Sequence, residues 1–65
     1  MKFYVRELRE MRGFSYEQLA EKSGVARSYI QRLESNDDNV NPSARVLCKL
    51  AKALDVAVEM LFKCD

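Results

Sequence analysis

The chain has 65 residues, 48% of them hydrophobic and 32% charged, with two glycines, one proline and a formal net charge of +1. That length leaves room for one domain burying only about 60% of its unfolded surface, and the composition is that of a compact helical domain without disordered tracts. No apolar run approaches the roughly 20 residues of a membrane span and no charged leader precedes an apolar stretch, so no membrane association and a cytoplasmic location are expected.

Val5 and Leu8 form the inner stripe of a first helix predicted over residues 2–11, with Arg6 and Glu10 spaced to pair on its wet side. Gly13 ends it. After Phe14, the run Ser15-x-x-Gln18 is a capping box, in which the serine hydroxyl and the glutamine amide satisfy backbone groups at the start of a second helix reaching Ser23. Gly24 and Val25 form a turn, and a third helix over residues 27–34 carries Ile30 and Leu33 inward while Arg27, Ser28, Gln31 and Arg32 point outward. Ala26 offers no side-chain acceptor and is a poor cap for that helix. Ala20, Gly24, Ile30 and Leu33 fall at the spacing of two short helices folded across each other. A small residue permits close approach, a glycine takes positive φ in the turn, and two apolar residues anchor the second helix. The helix-turn-helix unit therefore occupies about residues 16–35.

Residues 35–41 read SNDDNVN, a polar and turn-prone loop. Asn41 and Pro42 supply a cap and a first-turn proline for a fourth helix ending near Leu54. Along it Leu47, Leu50, Ala51 and Leu54 repeat at helical spacing, with Lys49 and Lys52 off the stripe. Residues 55–57 break the pattern and residues 59–62 suggest a last short helical turn. No stretch alternates long enough to predict a sheet. The expected fold class is all-α, a five-helix domain covering residues 1–65.

Chemistry-bearing constellations are few. Cys48 and Cys64 stand far apart in a chain without histidine, so metal-ligand spacing is absent and both thiols read as structural or incidental. There is no glycine-rich phosphate loop and no nucleophile with a recognisable base, so no enzyme, cofactor or small-molecule ligand is indicated. The small net charge runs against the basic excess of most nucleic-acid binders, so any DNA-binding face must be locally arranged.

The segments VRELREMRGFSYEQLAEKSGVARSYIQRLES and NPSARVLCKLAKALDVAVEMLF together resemble the lambda-repressor-like helix-turn-helix domains, the Cro and phage-repressor group also called XRE-type. The resemblance covers nearly the whole chain. It implies a five-helix transcriptional regulator, most simply a repressor, that binds a palindromic operator in double-stranded DNA as a homodimer with its third helix in the major groove. Carried onto this sequence, the base-reading residues are Arg27, Ser28 and Arg32, with Gln31 and Ala26 beside them. Arginine bonds both acceptors of guanine, Gln31 reaches adenine or stays hydrated, Ser28 reads a base or bonds locally, and Ala26 touches a thymine methyl. Tyr16, Ser35, Asn36 and Ser43 frame the groove as phosphate contacts. In such domains an arginine of the first helix often pairs with a glutamate just after the recognition helix, here Arg9 and Glu34.

Two departures from the family pattern stand out. Tyr16 occupies a position usually held by glutamine, where its hydroxyl can donate to phosphate or its ring can pack on Phe14. The loop before Pro42 carries Asp37 and Asp38 in place of basic residues, and these repel a phosphate backbone. One domain with two or three reading side chains binds weakly alone, so pairing is expected through the apolar excess of Val58, Met60, Leu61 and Phe62, with Phe3 and Tyr4 alongside. Leu61 and Phe62 have the alternative role of closing the core. The second functional reading is a protein-interaction or antitoxin-like module on the same scaffold, with weak DNA binding.

Overall fold

Local capping signals and one long-range pairing of the chain ends decide where the elements begin and stop. The computed structural model describes residues 2–35 and 40–64. Its elements run as β1 (Lys2–Phe3), α1 (Val5–Met11), α2 (Tyr16–Ser23), α3 (Arg27–Glu34), α4 (Ala44–Leu54), a 3-10 turn (Val58–Met60) and β2 (Phe62–Lys63). The fold is mostly helical as expected, but the described residues form four α-helices rather than five.

The difference lies at the two ends. Lys2 pairs with Lys63 and Phe3 with Phe62 in an antiparallel ribbon, and the Tyr4 N–H donates to the Leu61 carbonyl at 2.7 Å. Residues 2–4 thus spend their backbone groups across the chain, which delays the first helix to Val5. A pair of two-residue strands is too short to alternate visibly, so the expectation of no sheet is corrected. The final helical turn expected over residues 59–62 is a 3-10 turn that delivers Leu61 to the core and Phe62 to the ribbon.

The capping box of α2 is formed from both sides. The Gln18 N–H donates to Ser15 Oγ at 3.1 Å, and the Ser15 N–H donates to Gln18 Oε1 at 2.8 Å. Gly24, at φ 75°, closes the helix with its N–H on the Ala20 carbonyl at 2.8 Å, and the next donor, the Val25 N–H, meets the Ser23 hydroxyl oxygen at 3.1 Å. Two successive backbone donors of the turn, at Gly24 and Val25, thus find acceptors as the chain reverses into α3. The fourth helix starts later than predicted. Ser43, not Asn41, is its cap and accepts from the Val46 N–H at 3.2 Å, because Ser43 is the residue with extended backbone directly before the helix; Pro42 lies outside. At the other end Arg12 donates to the carbonyls of Leu54, at 2.9 Å, and Asp55, at 3.2 Å. A cation there suits the negative end of the helix.

Val5, Leu19, Ile30, Leu33, Leu50, Leu54 and Leu61 are fully buried in one core, joined by Phe3, Leu8, Val25 and Ala51. Every helix contributes to it, with α2 packed on both α3 and α4 and with α1 against α3. Leu61 and Phe3, considered for contact with a second copy, are therefore core residues. Met60 stays 53% exposed, with Val58 and Phe62 half-buried beside the core. Among the described residues no helix is long and apolar enough to cross a membrane.

Candidate nucleic-acid interface

The two faces of α3 differ sharply. Ile30 and Leu33 are fully buried and Glu34 nearly so, whereas Ala26, Arg27, Ser28, Gln31 and Arg32 are exposed. The helix is thus gripped along one side by α1 and α2 and offers five polar or small positions on the other. Eight residues make it about 12 Å long and, with side chains, about 10–12 Å thick. A DNA major groove, about 12 Å wide, admits such a cylinder.

What holds α3 at its C-terminal end is an ion pair. Arg9 donates through Nε to Glu34 Oε2 at 2.7 Å and through Nη2 to Oε1 at 3.2 Å, and its Nη1 donates to the Phe14 carbonyl at 2.8 Å. Side-chain exposure is 11% for Arg9 and 2% for Glu34. Arg6, spaced to pair with Glu10, instead places Nε 3.8 Å from the same carboxylate. Among the described residues no buried side-chain nitrogen or oxygen lacks a hydrogen-bond partner, so the burial of Glu34 is compensated. The hydrogen bonds to Glu34 hold the Arg9 guanidinium above its ordinary pKa, against the opposing effect of burial, with the Glu34 and Glu10 charges adding to the rise. A raised basic group contributes its stability below its unfolded pKa and loses it only as pH climbs past the folded one, so this contribution is intact at neutral pH.

Tyr16 opens α2 with its ring facing Arg9, whose Cζ lies 4.3 Å from the ring centroid; Arg27 Cζ lies 6.0 Å from the same centroid. Phe14 is instead capped by the Lys22 ammonium at 5.2 Å. Arg27 also forms an ion pair of 2.9 Å with Glu17, across the turn. Nothing in the sequence marks Glu17 for this role, because ten residues separate it from Arg27 and no short motif links them. Arg12 was missed for the same reason, its carbonyl partners lying more than forty residues away.

The remaining phosphate candidates differ in readiness. Ser43 accepts a backbone N–H as a cap, which leaves its own O–H to donate outward. Ser35 donates its hydroxyl to the Arg32 carbonyl at 2.8 Å and must rotate to reach a phosphate. Asn36, like Asp37 and Asp38, lies outside the described residues. Cys48 and Cys64 are free and exposed.

A helix-turn-helix family model matches residues 5–61. The transcriptional regulator SinR of Bacillus subtilis is 42% identical over 57 residues, covering 88% of this chain and 50% of SinR; the chain spans about half the length of that relative. Among solved structures, the restriction-modification controller protein C.AhdI from Aeromonas hydrophila superposes with a TM-score of 0.78 at 43% identity, covering 89% of this chain and 85% of that one. SinR in complex with DNA superposes with a TM-score of 0.76 at 40% identity, covering 85% and 86%.

Proposed function

The chain belongs to the helix-turn-helix family, and from that premise we propose that it is a sequence-specific double-stranded-DNA-binding transcriptional regulator, acting in the cytoplasm as a repressor that occupies a palindromic operator. In this reading the whole chain is one helix-turn-helix domain, and α3 enters the major groove. Arg27 and Arg32 bond guanine O6 and N7, each good bidentate contact giving about 1–3 kcal/mol of discrimination. Ser28, Gln31 and Ala26 line the same face and complete the readout. Tyr16, Ser35 and Ser43 contact phosphates and set the register, and the Arg9–Glu34 pair braces the reading helix against α1.

The observation that carries this reading is the division of α3 into a fully buried side and an outward side holding Arg27, Ser28, Gln31 and Arg32. DNA binding is supported by the relative solved in complex with DNA. The homodimer follows from the palindrome: half-sites one turn apart lie about 34 Å from each other, and each chain carries one reading helix, α3. In this reading the two copies meet around Met60, with Val58 and Phe62.

Selection from a random duplex pool followed by footprinting tests the reading. The expected result is an enriched two-fold sequence with guanines in each half-site and footprints one helical turn apart. An unenriched pool would overturn it. The near-neutral net charge of +1 favours the second reading, a protein-interaction or antitoxin-like module. Binding that falls steeply with salt supports DNA as the partner, and a salt-independent interaction supports a protein.

A further inference from the structure

Arg27 does not stand alone on the outward face of α3. Its Nη1 lies 2.9 Å from Glu17 Oε1, with the two side chains 55% and 64% exposed, and its Cζ lies 6.0 Å from the centre of the Tyr16 ring. That ring is itself held, because Arg9 sits 4.3 Å from it while bonded twice to Glu34 at the far end of the same helix. Glu17 is the second residue of α2, inside the capping box that Ser15 and Gln18 form. There its charge is favoured by the helix dipole and its backbone is fixed. The first turn of α2 therefore presents a carboxylate and a ring to one guanidinium at the start of α3.

A guanidinium carries five N–H donors in a rigid fork. When one nitrogen is held by a carboxylate, the fork samples fewer orientations and retains donors for a base edge. Its net charge is partly cancelled as well. Attraction to phosphate is Coulombic and indifferent to sequence, so cancellation weakens it most, whereas the contact with guanine is directional and gains from orientation.

We infer that Glu17 is a positioning residue for DNA recognition: it fixes the Arg27 guanidinium toward a base edge and suppresses its indiscriminate contact with phosphate. Glu17 thereby raises the ratio of specific to non-specific affinity while lowering total affinity. The inference rests on the reading of α3 as the base-reading helix.

The test measures dissociation constants of the full chain on the selected duplex and on a scrambled duplex of equal length. The proteins compared are the parent, Glu17→Gln, Arg27→Ala and the double variant. Glu21→Gln is the control, since it removes the same charge from an exposed position one turn further along α2. Glu17→Gln is expected to bind the scrambled duplex more tightly and to lower the specificity ratio by about two- to fivefold, the range of an exposed ion pair. Glu21→Gln is expected to shift both duplexes alike. In the Arg27→Ala background the effect of Glu17→Gln on the ratio is expected to vanish, which a generic charge effect would not produce. An unchanged ratio in Glu17→Gln, or a fall matched by Glu21→Gln, overturns the inference and leaves the function standing. A parent with no preference for any selected duplex overturns both.

Discussion

Glu34 shows how much one carboxylate can carry in a small protein. It is the last residue of α3, 2% exposed at its side chain, and takes two hydrogen bonds from Arg9 on α1. Replacing one partner of a buried pair leaves the other charge uncompensated, which typically costs about 3–5 kcal/mol. A domain of this size has only about 3–10 kcal/mol in all. Glu34→Ala is therefore expected to cost roughly 3 kcal/mol, at the lower end because Arg9 keeps its bond to the Phe14 carbonyl. It should drop the melting midpoint by more than about 10 °C. Thermal unfolding followed by circular dichroism checks this, and a midpoint within 2–3 °C of the parent, about the scale of half a kcal/mol, would show that the pair adds little. Glu34→Gln, which keeps an acceptor and the shape, should fall between the two.

At the scale of elements, the α2–turn–α3 unit depends on local backbone chemistry. Gly24 sits at φ 75°, and a Cβ built there meets nothing within 4 Å. Any penalty for substitution is thus conformational rather than a clash. Gly24→Val, with a β-branched residue forced to positive φ, is expected to cost about 2 kcal/mol, whereas Gly24→Asn, which tolerates that region, should cost appreciably less. Equal melting curves for the two variants would place the strain elsewhere. The same locality explains what the sequence revealed. The Ser15–Gln18 box, the Gly24 turn and the Ile30 and Leu33 anchors act over a few residues and were legible as spacing. The ribbon of Lys2–Phe3 with Phe62–Lys63, the Arg12 bonds to the end of α4 and the Glu17–Arg27 pair join residues ten to sixty positions apart, and no periodicity encodes such meetings. The start of α4 was misplaced for a subtler reason. Asn41, Pro42 and Ser43 are all plausible at a helix entry, and only backbone geometry selects the serine.

For the molecule as a whole, the proposed operator requires two copies, and Met60 is the most exposed large apolar group near the closing ribbon. Met60→Glu is expected to leave the melt and the binding of a single half-site nearly unchanged. It should weaken binding to a two-half-site duplex by about tenfold or more, since the second engagement loses its linkage to the first. Gel shifts on the two duplexes, together with sedimentation of the free protein, measure this. Equal affinity of parent and variant for the full site would move the pairing surface away from Met60.

The ribbon has a consequence for engineering the chain. Because Lys2 and Lys63 face each other as strand partners, their backbones stand about 5 Å apart, and a linker of a few residues is enough to join head to tail. Closing the loop there removes conformational freedom chiefly from the unfolded polypeptide. The helix proposed to meet DNA takes no part in that closure, so a cyclic form would separate durability from recognition.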